Sequence, residues 1–157
     1  MMKEILLQLA GAYLGALGFS LLFGLHKRHL FLAALGGMMS WGVRLLVQAF
    51  VPISFLSDLA ASVFAVAFSE LMAHWRKCPA TLFVVPAIIP LVPGSSLYYA
   101  MSYAVRNDLS TAHQYAQETL ISALAIAAGI SFVTVCRELR STKEKTSASR
   151  NGEEQQI

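Results

Sequence analysis

Three prolines, Pro86, Pro90 and Pro93, fall within eight residues of an otherwise apolar run that closes on Gly94-Ser95-Ser96. Each proline deletes a backbone donor and clashes with the preceding turn, so a helix drawn through this run should break. Pro93-Gly94 is a strong punctuation mark, and Ser95 or Ser96 is a candidate cap for a second half-helix. Pro79, at the start of the run, suits a first helical position, where its missing N–H costs nothing. Irregular backbone inside an apolar span is tolerated only where protein or a watery cavity satisfies the freed polar groups. Such breaks bind substrate: half-helix N-termini face anionic groups and released carbonyls face cations. A purely structural kink is the plainer alternative, but three prolines and a glycine exceed what a kink needs. Pro86, Pro90, Pro93, Gly94, Ser95 and Ser96 are therefore candidate substrate-binding residues.

Ionisable residues inside apolar runs are the second signal, since a charge at the bilayer centre costs at least ~2.5 kcal/mol on insertion scales. Arg44 lies deepest, seven residues before Val51. It offers a planar fork to a substrate carboxylate, or it pairs with Asp58 across a short connection; the sequence supports both. Asp58 and Glu70, near opposite ends of one run, are candidates for proton coupling, with solvated or paired roles as the competing reading. Glu118 lies near the outer end of the last run, and His26, His29, His74 and His113 fall at run ends, where an interfacial role is expected.

Other chemistries lack their residues. No Cys/His cluster has zinc spacing, no His-Glu-x-x-His occurs, and no Gly-x-Ser-x-Gly elbow is present. No catalytic residue, metal site or cofactor is expected, and the chain does not read as an enzyme. Cys78 and Cys136 lie far apart beside basic residues, which favours free thiols over a disulfide. The net charge of +3 invites a nucleic-acid reading. The basic residues are too scattered for a phosphate-tracking surface, so no nucleic-acid partner is expected.

These residues sit in a chain of 157 residues that is 56% hydrophobic and 13% charged, against about 25% charged for a soluble domain. Nine of its 21 charged residues lie after Val135. A small domain cannot hide so much apolar surface in one soluble core, so the partner solvent is membrane lipid. Apolar runs over 5–25, 30–51, 55–72, 79–105 and 115–135 each approach the ~20 residues that cross a bilayer. Lys27 and Arg28 occupy the first connection, and the second has no Lys or Arg. Arg76 and Lys77 occupy the third, Arg106 is balanced by Asp108 in the fourth, and Arg137 and Arg140 open the tail. Basic residues on alternate connections place the N-terminus outside and the C-terminus in the cytoplasm. The expected fold is an all-α polytopic membrane protein of about five transmembrane helices, the fourth broken by the Pro-rich motif. Residues 1–136 form the transmembrane domain and 137–157 a polar, disordered cytoplasmic tail. Small residues recur four apart at Gly11-Gly15, Ala12-Ala16, Gly36-Ser40 and Ala125-Gly129, a spacing that permits close helix approach within one subunit or between subunits.

The run Cys78-Pro79-Ala80-Thr81, then Pro86-Ala87-Ile88-Ile89-Pro90-Leu91-Val92-Pro93-Gly94 with Tyr98 or Tyr99 after it, resembles the threonine/serine exporter (ThrE) family. It is similar to the small second-half subunit of that family, the YjjB type, over essentially the whole chain. The resemblance implies a secondary exporter in the bacterial inner membrane that moves small carboxylate metabolites, either threonine and serine or succinate. It also implies a separate first-half partner subunit of the YjjP type. Five spans make a thin pathway alone, which independently favours that partner or a homo-oligomer. A non-transporting scaffold subunit and a small channel remain the alternatives.

Overall fold

A computed structural model describes the backbone of residues 2–154 and the side chains of residues 3–139. Most of the tail expected to be disordered, 140–157, lies outside the described side chains. The apolar runs form helices α1 (Met2–Leu22), α2 (Lys27–Phe50) and α3 (Ser54–Arg76). A shorter α4 (Thr81–Ile88) leads into a 3-10 turn at Ile89–Leu91, then α5 (Gly94–Val105) and the long α6 (Leu109–Glu154). No strand occurs among the described residues. Among the described residues four helices are long and apolar enough to cross a membrane: Lys3–Leu22, Lys27–Phe50, Ser54–Arg76 and Leu109–Leu139. The pair Thr81–Leu91 and Gly94–Val105 meets the same test together and is bent by 46°.

What the helices bury is small. The core faces carry Ala12, Ala16 and Ser20 on α1, and Ala33, Ala34, Gly36, Gly37 and Ser40 on α2. On α3 the buried face is Ser57, Asp58, Ala61, Ser62, Ala65, Val66, Ser69 and Ala73. Side chains this size bring backbones close, which is how helices gain packing contacts where lipid removes the hydrophobic drive. Gly37 is one such position: a Cβ there would stand 2.5 Å from Ala16 Cβ and 3.0 Å from the Pro86 carbonyl. Buried serines satisfy themselves locally. The hydroxyls of Ser20, Ser40 and Ser69 donate to the carbonyls of Ala16, Gly36 and Ala65 at 2.7–2.8 Å. Large apolar side chains such as Leu6, Leu14, Leu46, Leu71, Leu124 and Phe132 point outward, a surface that suits lipid rather than water.

Three contacts fix how α3 and α6 align. Asp58 meets Ser122, Ser62 lies against Gly129, and Glu70 pairs with Arg137. Residue numbers rise together, so the two helices run parallel, and α4 with α5 carries the chain back between them. The layers along this axis are distinct. At one end Ala33, Ala73 and Phe83 pack with Leu25, Met72 and Cys78. In the middle Ala61, Ala65, Ala87, Leu91 and Ile126 pack with Trp41. Tyr98, Tyr99, Tyr103 and Tyr115 cluster between α5 and α6 near the other end, with Tyr103 and Tyr115 stacked at 5.8 Å.

The Pro-rich run departs from expectation in two details. Pro86 lies inside α4, and the helix continues to Ile88; one missing N–H there does not end it. The α-helix tightens to the 3-10 turn at Ile89–Leu91, and helical geometry lapses at Val92, which is extended (φ −60°, ψ 126°), and at Pro93. Nor do Ser95 or Ser96 cap α5. Pro93 occupies the cap position, no side-chain cap bond forms, and both serines fall in the first turn. The chain leaves Pro93 at ψ 58° and enters the helix two residues earlier than a cap at Ser95 requires.

Candidate functional site

Asp58 is the fully buried carboxylate of the molecule's described part. It sits in the second turn of α3, and both its oxygens are engaged. Arg44 Nε–H donates to Oδ1 at 2.5 Å from α2, and the Ser122 hydroxyl donates to Oδ2 at 2.5 Å from α6. Three helices thus converge on one carboxylate. A charge here costs several kcal/mol unless it is paired and hydrogen-bonded, and this geometry supplies both. Arg44 remains 24% exposed. Its guanidinium lies over the Trp41 ring, one turn earlier on α2, at 4.7 Å, a cation–π contact that also fixes its plane. Among the described residues Arg44 donates only through Nε, which leaves its two Nη groups for another acceptor.

Trp41 ties this cluster to the interrupted segment. With Ile88 it packs against the buried cluster that holds Ala87 and Leu91, and with Pro90, Gln8, Gly11 and Ala12 it lines a shallow groove of about 270 Å³. Its Nε1–H is buried with no hydrogen-bond partner. Buried donors are nearly always satisfied, and this one is an exception.

The residues read from the sequence divide accordingly. Arg44 and Asp58 come together, and Pro90 joins them through Trp41. Pro86 is buried in α4 near Gly37. Pro93 heads α5; Gly94 and Ser95 are exposed and Ser96 half-buried. No hydrogen bond joins these serines to Arg44 or Asp58 among the described residues. Glu70 stands apart, 12 residues along α3 from Asp58, which is about 18 Å at helical rise. It pairs with Arg137 at 3.5 Å. At that end Glu70, His74, Lys77, Cys78 and Arg137, with Ala73, Pro79 and Ala80, line an open cleft of about 900 Å³. Among the described residues no group of three His, Cys, Asp or Glu side chains could hold a metal ion.

Ser122 and Trp41 were not evident from the sequence. Ser122 did carry a signal: it lies three and seven residues before Ala125 and Gly129, on the same small-residue stripe of α6. Trp41 carried none, because an aromatic residue in an apolar run reads as packing.

Comparison with known proteins agrees with the all-helical, apolar architecture. No solved structure matches the chain. The family model described as "Threonine/Serine exporter, ThrE" matches residues 8–136, which takes in four of the five apolar runs whole, the first from residue 8, and every residue of the Asp58 cluster. The family is one of transporters, not of enzymes. The chain is a multi-pass membrane protein and belongs to the threonine/serine exporter family.

Proposed function

We propose that this chain is one subunit of a secondary exporter of small carboxylate metabolites, of the threonine/serine or succinate kind. It works in the bacterial inner membrane with a separate first-half subunit of the YjjP type. The observation that carries the reading is the Asp58 cluster beside the interrupted helix. A buried carboxylate holds an arginine by Nε alone, and an unsatisfied indole N–H lies one turn away. In this reading a substrate carboxylate takes the two Nη groups of Arg44 as a bidentate fork and the Trp41 N–H as a third donor. Pro90, Pro93 and Gly94 keep the backbone open beside it.

Of the two carboxylates weighed for proton coupling, Asp58 takes that role. Ionised, it locks Arg44 and Ser122 into one arrangement of α2, α3 and α6. Protonated, it gives up most of its attraction for Arg44, so the three helices are free to separate. A gradient-driven proton would then select between two arrangements, as alternating access needs. The parallel order of α3 and α6 supports five crossings, and the basic connections support an N-terminus outside and a cytoplasmic C-terminus.

The test is efflux from cells preloaded with labelled threonine, serine or succinate, with this chain alone and with its first-half partner. Saturable efflux of one substrate only when both are present is expected. Arg44→Gln and Asp58→Asn should abolish it while the two subunits still copurify. The paired state of Arg44 also suits a scaffold. Loss of copurification ahead of efflux in these variants would favour that alternative.

A further inference from the structure

The cleft at the other end of α3 is not part of the Asp58 cluster, yet it is a built recognition surface. Its walls come from three places: Glu70, Ala73 and His74 on α3, Lys77 to Ala80 on the connection to α4, and Arg137 on α6. Lys77 closes α3 in the left-handed conformation (φ 52°, ψ 45°), and Cys78 N–H returns to the Ala73 carbonyl at 3.1 Å. The rim is therefore a fixed turn rather than a loose loop, held in a conformation that non-glycine residues adopt at a cost. Glu70 and Arg137 face each other at 3.5 Å, longer than a charge-assisted hydrogen bond of ~2.7–2.9 Å. Such a pair is open to insertion. One acid and two permanent cations, Arg137 and Lys77, border a space of about 900 Å³, within the ~300–1,000 Å³ of small-molecule sites. Ala73, Pro79 and Ala80 are the apolar part of the lining, too little for a large hydrophobic ligand.

We infer that this cleft is the intake site of the exporter, binding a free α-amino-acid zwitterion before it enters the membrane-embedded path. Glu70 accepts the ammonium group, and Arg137 with Lys77 takes the carboxylate. A neutral net ligand with two opposite charges in close succession exchanges with the Glu70–Arg137 pair without leaving either charge unpaired. A dicarboxylate would instead set a like charge against Glu70. The inference rests on the export reading and on its cytoplasmic assignment of this end. A phosphatidylethanolamine headgroup carries the same pair of charges, so the test separates a free solute from lipid.

Cys78 lines the cleft and is one of two cysteines in the chain, which makes it a reporter. In the Cys136→Ser variant of the full chain, reconstituted in phosphatidylglycerol vesicles free of phosphatidylethanolamine, the rate of Cys78 alkylation by N-ethylmaleimide is measured against added L-threonine. Occupancy should slow it saturably, about tenfold at ten times Kd. N-acetylthreonine, threonine methyl ester and succinate, each lacking one charge of the pair, should not slow it. Glu70→Gln and Arg137→Gln should each remove the protection, every rate being compared with that variant's own rate without threonine, because a changed charge beside Cys78 also alters its thiolate fraction. The inference is overturned by an unchanged rate at ~100 mM threonine, a hundredfold above a millimolar Kd. Equal protection by succinate or by the acetyl analogue overturns it in favour of a general anion site. Protection conferred by phosphatidylethanolamine vesicles and not by threonine overturns it in favour of a lipid site. Because the readout needs neither partner nor transport, its failure leaves the efflux test standing, and the reverse also holds.

Discussion

A carboxylate with no exposed surface, in a chain that spans lipid, is stable only because its neighbours were chosen for it. Removing one partner of a buried ion pair strands the other charge and costs ~3–5 kcal/mol, whereas replacing both by apolar groups of similar size is often neutral. That asymmetry separates architecture from transport at the Arg44–Asp58 pair. Asp58→Leu or Arg44→Met alone should lower the thermal unfolding midpoint of the purified chain sharply. The double variant should recover most of the loss and still export nothing. Equal activity in the double variant would show that the pair serves only to join α2 to α3. Ser122→Ala deletes one hydrogen bond to a charged group, worth ~1.5–3 kcal/mol, and should give a smaller shift with partial efflux. Arg44 and Asp58 were legible in the sequence because charged residues are rare in apolar runs. The choice between a pair and a substrate ligand was not legible, because it depends on a three-helix geometry spread over 79 residues of chain, from Arg44 to Ser122.

Small residues, not large ones, set the positions of the helices. Of the four small-residue pairs, Ala12-Ala16, Gly36-Ser40 and Ala125-Gly129 are buried within the chain, while a Cβ at Gly11 or Gly15 would meet nothing within 4 Å. The four look alike in sequence, and only the fold shows which are used. Gly129 is the tightest: a Cβ there would overlap Ser62 Oγ and stand 3.1 Å from the Leu59 carbonyl. Gly129→Ala should therefore force α3 and α6 apart at a cost of ~1–3 kcal/mol, with Ser62→Ala restoring part of it. Gly11→Ala and Gly15→Ala should leave the chain as stable or slightly more so, since alanine is the better helix former. Thermal unfolding in one detergent compares all four. At the start of α6, Asp108 Oδ1 accepts the Thr111 N–H at 3.2 Å. Bonds from the Thr111 hydroxyl and backbone hold the Asp108 carboxyl below its ordinary value. A lowered value means the ionised form stabilises this helix start, fully above the ordinary carboxylate range and progressively less as pH falls through the folded value. The protection factor of the Thr111 amide, its exchange taken relative to the intrinsic rate at the same pH, should fall only at acid pH, and Asp108→Asn should make that protection factor independent of pH in this range. The helices themselves were readable from apolar runs. The exact lapse at Val92 and Pro93 was not, because a single proline such as Pro86 is absorbed when the helix around it is packed on both sides.

Topology follows from the order of contacts along α3 and α6 once the chain is placed in a bilayer. Asp58 to Ser122, Ser62 to Gly129 and Glu70 to Arg137 run in the same direction. Two parallel crossings need an odd number of return crossings between them, and α4 with α5 is the one segment available. A re-entrant loop would instead bring the chain back to the side it left and make α6 antiparallel to α3. The order of these contacts supports reading the bend of 46° as that of a span that deviates, the topology we propose. The tyrosines between α5 and α6 at one end, and exposed Trp75 at the other, are the residue types that settle at the two membrane–water interfaces. The proposed five crossings would put Lys3 and Cys136 in opposite compartments. In a Cys78→Ser background, Cys136 should resist a membrane-impermeant maleimide in intact cells and react in inverted vesicles. A cysteine placed at Lys3, in a chain lacking both native thiols, should behave in the opposite way. Labelling of both positions from the same side would remove the five-crossing topology, and with it the placement of the Glu70 cleft on the side from which an exporter must draw its substrate.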